Sequence, residues 1–130
     1  DCGCSLNPAI DLGQIEGGFM QGMGWLTTEE LWFDDKGALR THAPSTYKIP
    51  VAGDRPEMHI ALWNGENPEE AIYRSKAVGE PPLMLAISAF CAIGDAIASV
   101  GDHKIPPRLD APATPERVLT AVRRVQEAAR

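Results

Sequence analysis

Apolar residues Ile10, Ile15, Phe19, Met23 and Leu26 recur at helical intervals between Ala9 and Leu31, with Thr27-Thr28-Glu29-Glu30 near the end, and predict a first helix. Asn7 supplies a side-chain oxygen for free N–H groups at its start, and Pro8 suits the first turn. Gly13, Gly17, Gly18, Gly22 and Gly24 fall in the same stretch. Each glycine costs about 0.8–1 kcal/mol relative to alanine in a helix interior, so five forfeit about 4–5 kcal/mol of local preference. Close approach of another backbone or a ligand would offset that, and the small pairs Gly13/Gly17 and Gly18/Gly22 imply a closely approached face.

The pattern then changes. Leu31-Trp32-Phe33 and Ala38-Leu39-Arg40-Thr41 flank Asp34-Asp35-Lys36-Gly37, which reads as strand, turn and strand. Pro44 to Pro50 is an extended connector bracketed by prolines, Met58 to Trp63 a further short strand, and Asn64 to Glu70 a polar loop. Pro81-Pro82 opens a run to Val100 that is apolar nearly all round, which predicts a buried helix starting near Pro81. A final amphipathic helix begins at about Thr114 and carries Val118, Val122 and Val125 on one face. Helices alternating with antiparallel-type strands, without regular βαβ spacing, favour an α+β class, with helices packed on short, mainly antiparallel strands. The whole of 1–130 reads as one unit.

Composition narrows the function. Twelve Lys and Arg against 18 Asp and Glu give a net charge of −6, which disfavours nucleic acid and anionic lipid as partners. The longest nearly uncharged apolar run, Leu83 to Ile93, falls short of the ~20 residues a membrane span needs. Three cysteines without repeated spacing argue against a disulfide scaffold and for a reducing compartment, the cytoplasm by default. The chain has no initiator Met and opens directly on a polar, turn-like segment, so it reads as a fragment of a longer polypeptide.

Two segments carry candidate chemistry. In Ser75-Lys76-Ala77-Val78-Gly79-Glu80-Pro81-Pro82-Leu83, one carboxylate follows a glycine and precedes two prolines at the mouth of an apolar helix. Burial would favour its neutral form and a helix N-terminus its ionised form, and a partly desolvated carboxylate is a competent general base. The plain alternative is a dipole partner at a helix start. In Gly13-Gln14-Ile15-Glu16-Gly17-Gly18, Gln14 donates and accepts at once, as the polar edge of a cofactor requires. The alternative there is a tightly packed helix with Gln14 and Glu16 facing solvent. Cys2-Gly3-Cys4 lacks further metal ligands, and His42, His59 and His103 have no metal-site spacing, so no metal ligand is assigned. Trp25, Trp32 and Phe33 read as core or interface residues.

Three stretches together resemble one family. Ser5-Leu6-Asn7-Pro8-Ala9-Ile10-Asp11-Leu12-Gly13-Gln14-Ile15-Glu16-Gly17, Pro44-Ser45-Thr46-Tyr47-Lys48-Ile49-Pro50 and Ser75 to Leu83 are similar, in this order, to the carboxyl-terminal part of the molybdenum-binding subunit of the molybdenum hydroxylases. Ala111-Pro112-Ala113-Thr114-Pro115-Glu116 extends the match. The resemblance implies a place within a molybdopterin-binding domain. It implies that Glu80 is the base that deprotonates the attacking oxygen nucleophile, and that Gln14 is a hydrogen-bonding neighbour of the molybdenum and its pterin. Gly79 would then permit close approach of chain and cofactor.

The same resemblance limits the chain. It implies that most pterin contacts and the substrate-orienting groups lie upstream, and that 2Fe-2S clusters and FAD sit on other domains or a partner subunit, so the isolated chain is expected to be inactive. The wording around Tyr47 and Glu80 looks more like the purine-oxidising branch, hypoxanthine or xanthine to urate, than the aldehyde branch. Expected partners are the rest of the molybdenum-binding subunit, an iron-sulfur/FAD subunit, a purine and further copies of the enzyme. A competing reading is a non-catalytic interaction module in which Glu80 merely caps a helix.

Overall fold

The computed structural model describes all residues, Asp1 to Arg130. Helix α1 spans Pro8–Thr27. Its start follows the sequence expectation, with Asn7 Oδ1 accepting from Ile10 N at 3.3 Å and Pro8 in the first turn. It stops short of Leu31 because Thr28 N and Glu29 N both turn back to the Gly24 carbonyl at 2.9 Å, while the Thr28 hydroxyl donates to Lys48 O.

Helix α2, Pro81–Leu85, and helix α3, Ile87–Ser99, follow one another across a joint at Ala86, and helix α4 spans Pro115–Ala128. Thr114 caps α4 by accepting from Arg117 N at 3.4 Å, as its position in Thr114-Pro115-Glu116 predicts. Single 3-10 turns lie at Ala52–Asp54 and Ile72–Arg74.

The core is small. Ile97 of α3 meets Ala121 and Val125 of α4, with Ile93, Ile105, Leu109, Val118 and Val122 around them. Gly101 permits this closure, since a Cβ there would stand 2.8 Å from Val125 Cγ1. At the other end, α1 packs on α2, and Ala113 N donates to Leu26 O at 2.7 Å, so the approach to α4 is tied to the end of α1. Arg117 reinforces that tie by pairing with Glu30 and donating to Pro112 O, both at 3.1 Å.

The expected antiparallel strands do not form. The only β pairings are isolated bridges, Gly3 with Ser75 and Phe33 with Leu39. The turn at Asp34–Gly37 is as expected, with Gly37 at φ +76° and Asp34 Oδ1 accepting from Lys36 N and Ala38 N, but the flanking segments pair at one position only. Met58 to Trp63 forms neither helix nor turn and has no partner strand. Accordingly there are 67 backbone–backbone hydrogen bonds, where a globular chain of this size makes about 90. The architecture is helices linked by extended segments, and a strand without a neighbour cannot register as sheet.

The helix from Pro81 is also not buried. Ala86 and Ile97 are covered, whereas Met84, Leu85 and Ile87 lie half open. Taken together, Pro81–Ser99 is nineteen residues long and apolar enough to meet the length and composition of a membrane span, beyond what the run Leu83 to Ile93 suggested. It is jointed at Ala86 and packs on α1 and α4. Trp25, Trp32 and Phe33 are more than half exposed, so their core reading fails and an interface role remains. The total accessible surface, 9453 Å², exceeds the roughly 6,700 Å² of a compact monomer of this mass. Such a surplus of apolar surface is what a covering neighbour removes.

Candidate active site

The site is assembled by three ties between the start of the chain, α1 and the segment before α2. Cys4 N donates to Arg74 O at 3.0 Å and Lys76 N to Cys2 O at 2.8 Å, forming the bridge that lays Ser75 beside Gly3. Gly3 is required there: its φ is +62°, and a Cβ would overlap the Arg74 carbonyl oxygen. Lys76 adds an ion pair to Asp1.

The third tie is the contact of α2 with the glycine face of α1. A Cβ on Gly18 would stand 2.7 Å from Pro82 Cβ, and one on Gly22 would overlap the Leu83 carbonyl oxygen and stand 2.7 Å from Ala86 Cβ. The expected close approach is therefore real at Gly18 and Gly22. At Gly13 and Gly17 it is not made within this chain, because no atom lies within 4 Å of a Cβ at either. Gly24 joins the packed set instead, against the Pro50 ring.

This closure brings Gln14 and Gly79 together: a Cβ on Gly79 would lie 3.9 Å from Gln14 Oε1, ordinary contact distance. Gln14 is exposed and its amide takes no part in hydrogen bonding within the chain. Glu80 directly precedes α2 with helical φ/ψ of −87° and −41°, and its carbonyl accepts from Leu83 N at 3.1 Å. Its side chain makes no cap hydrogen bond and is exposed, so neither the expected burial nor a capping role acts on it in this chain. The helix behind it has five residues, too short to build a large dipole.

An apolar recess of about 150 Å³ is lined by Ile15 and Pro81, the residues after Gln14 and Glu80, together with Leu62, Val78, Pro82 and Leu85. Glu16, weighed alongside Gln14 in the sequence, does something else. Two residues along a helix is a rotation of about 200°, and Glu16 pairs there with Arg55 at 2.7 Å, holding the 3-10 turn to α1. Sequence reasoning missed this pair and the Gly3–Ser75 bridge, because both join residues far apart with no local signature.

The proline-bracketed connector is a strap across the end of α1. Pro50 sits on Gly24, Lys48 O accepts from Thr28, and Tyr47 and Glu29 line one hollow. Glu29 as a neighbouring acceptor, then partial burial and the Glu29 charge, raise the Tyr47 pKa above the ordinary phenol value. The neutral phenol thus contributes stability that is present below the ordinary phenol pKa and lost as pH rises through the folded value. With Tyr73→Phe removing the second tyrosine, phenolate absorbance should titrate above the free phenol, and Glu29→Gln should lower the midpoint. An unchanged midpoint would show that Glu29 does not act on Tyr47.

Gln14 thus leaves an amide without hydrogen-bond partners in the chain, next to the open glycine position 13. Residues 1–56 match the family model described as "Molybdopterin cofactor-binding domain". The chain is 54% identical over 125 residues to xanthine dehydrogenase/oxidase of Gallus gallus, covering 93% of this chain and 9% of that protein. It is 46% identical over 125 residues to aldehyde oxidase of Homo sapiens, with 93% and 9% covered. The crystal structure of Cu,Mo-CO dehydrogenase superposes with a TM-score of 0.80 at 24% identity, over 96% of this chain and 15% of that one, which is a likeness of fold. The fold is that of a molybdopterin cofactor-binding domain. The chain belongs to the molybdenum hydroxylase family and spans about a tenth of the length of the curated relatives it matches.

Proposed function

We propose that this chain is the carboxyl-terminal part of the molybdenum-binding portion of a xanthine dehydrogenase, and that the whole enzyme oxidises hypoxanthine and xanthine to urate. The observation that carries the reading is the approach of Gly79, the residue before Glu80, to Gln14, closed by the packing of α2 on α1. Xanthine dehydrogenases match at 47–54% identity and the aldehyde oxidase of Homo sapiens at 46%, which favours a purine over an aldehyde.

When bound, the molybdenum cofactor supplies the two-electron redox chemistry, and the protein supplies position and proton transfer. Gln14 holds the cofactor's polar edge through an amide that both donates and accepts. Gly79 keeps the chain slim where the cofactor approaches. Glu80 takes the proton from the oxygen that attacks the electron-poor carbon of the purine, and its freedom from capping leaves the carboxylate available. The proline pair behind it fixes the direction of the chain.

By itself the chain lacks the remaining cofactor contacts and the substrate-orienting groups, so it is inactive in isolation. The 2Fe-2S clusters and FAD belong to other domains or a partner subunit, and the exposed apolar faces meet the rest of the molybdenum-binding subunit or further copies. Three free cysteines, two of them exposed, accord with a reducing cytoplasm.

The parent complex should contain molybdenum in near-stoichiometric amount and turn xanthine over faster than an aromatic aldehyde. Metal-loaded protein that prefers the aldehyde would move the reading to the aldehyde branch. Protein without molybdenum or turnover would make it a non-catalytic interaction module.

A further inference from the structure

Pro56 to Leu62 is seven residues long, and not one of its backbone N–H or C=O groups is hydrogen-bonded within the chain. The side chains nevertheless alternate: Met58, Ile60 and Leu62 are half-buried, whereas His59, Ala61 and Trp63 are exposed. A period of two is the signature of a pleated strand with one face on a core. The end of the segment reaches the candidate site, since Ala61 and Leu62 line the recess with Ile15 and Pro81. The segment also has defined ends. Pro56 precedes it, and Gly65 N turns back to Trp63 O at 3.0 Å, with the indole lying over Gly65.

We propose that Met58–Trp63 is an inner strand of a β-sheet whose neighbouring strands, one on each side, are extended segments of the parent polypeptide outside these 130 residues. Backbone groups are obligate hydrogen-bonding groups, and a strand presenting unpaired edges is a template for pairing. Strands that end a sheet are blunted by Lys, Pro or a bulge, and Met58–Trp63 contains no Lys, Pro or Gly. Its sequence therefore suits pairing on both edges. A second copy of this chain would cover one edge of each strand and leave the other open, and a net charge of −6 on each copy opposes that approach. Segments of the longer protein cover both, and the relatives are about ten times the length of this chain. The fold matches over 96% of the chain a structure of which it spans 15%, so a backbone course close to this one occurs within a much larger chain.

The proposal rests on these residues lying within a longer polypeptide, as the functional reading holds, but not on Glu80 acting as a base. Amide hydrogen exchange on the intact enzyme, resolved to single residues, tests it without any substitution. Successive N–H groups of a strand point to opposite edges, so Met58, Ile60 and Leu62 report one edge and His59, Ala61 and Trp63 the other. Both sets should exchange on the order of a hundredfold or more slower than free peptide. Protection of only one alternating set would make the segment an edge strand and overturn the inner position. Exchange of both at the free rate would overturn the sheet altogether. If the isolated chain acquired the same protection as its concentration rose, the occupant would be a second copy, again overturning the proposal. None of these outcomes depends on turnover, so enzyme inactive for other reasons still gives an answer.

Discussion

Glu80→Gln in the molybdenum-loaded parent enzyme should lower the turnover of xanthine by about 10²–10⁴-fold, the usual contribution of a positioned general base. Glutamine keeps the size and the backbone of this position, so what it removes is the capacity to take a proton. The substitution should be structurally mild, because the carboxylate makes no cap hydrogen bond and is exposed in the chain. That separates the readings. A residue that only started a helix would at most forfeit about 0.3–1 kcal/mol of dipole interaction and leave turnover nearly normal. The comparison must be made at equal molybdenum content, with kcat and KM resolved. Loss mainly in kcat identifies an interaction made in the transition state, whereas a rise in KM alone would point to uniform binding and sink the role as base.

Much of the helical frame was legible in the sequence. Asn7-Pro8, Pro81-Pro82 and Thr114-Pro115 mark helix starts that the structure reproduces, because cap chemistry is local. The expected strands were not realised, and the reason is equally physical. Residues such as Met58, Ile60 and Leu62 do alternate, but a sheet exists only where two extended segments meet, and pattern says nothing about the partner. The apolar run from Pro81 misled in the same way. Its composition promised burial, and within these residues Ala86 and Ile97 are the positions most fully covered.

For the site, residue chemistry pointed to Gln14 and Glu80, and the structure brings Gln14 beside Gly79, the residue before Glu80. What the sequence could not reveal was the means of assembly. The Gly3–Ser75 bridge spans most of the chain, and five glycines in one helix look alike until their neighbours are known. Two of them, Gly18 and Gly22, hold α2 against α1, Gly24 receives Pro50, and Gly13 and Gly17 remain open beside Gln14. Different glycines in one helix thus serve different contacts, and composition alone merges them.

That division makes Gly22→Ala the second large effect. Alanine gains about 0.8–1 kcal/mol of helix propensity at an interior glycine. At Gly22 the new methyl would overlap the Leu83 backbone oxygen and crowd Ala86 Cβ, and backbone cannot step aside as a flexible side chain does. Overpacking of this kind costs about 1–3 kcal/mol, and contact with one backbone oxygen and with a Cβ that no rotamer can move places it at the upper end, so net destabilisation of about 1–2 kcal/mol is expected by chemical denaturation. Gly13→Ala meets no atom within 4 Å in this chain and should instead stabilise it, by up to about 1 kcal/mol. In the parent enzyme the Gly22 substitution should also reduce turnover, because relief of the clash pushes away α2, which Glu80 directly precedes. A displacement of about 1 Å in a reacting group can cost on the order of 10²-fold in rate. Molybdenum content should fall less than activity, since Gln14 stays in place on α1. Equal stability of Gly22→Ala and Gly13→Ala would mean that α2 does not bear on the Gly18/Gly22 face, and the geometry that brings Glu80 to the site would have to be abandoned.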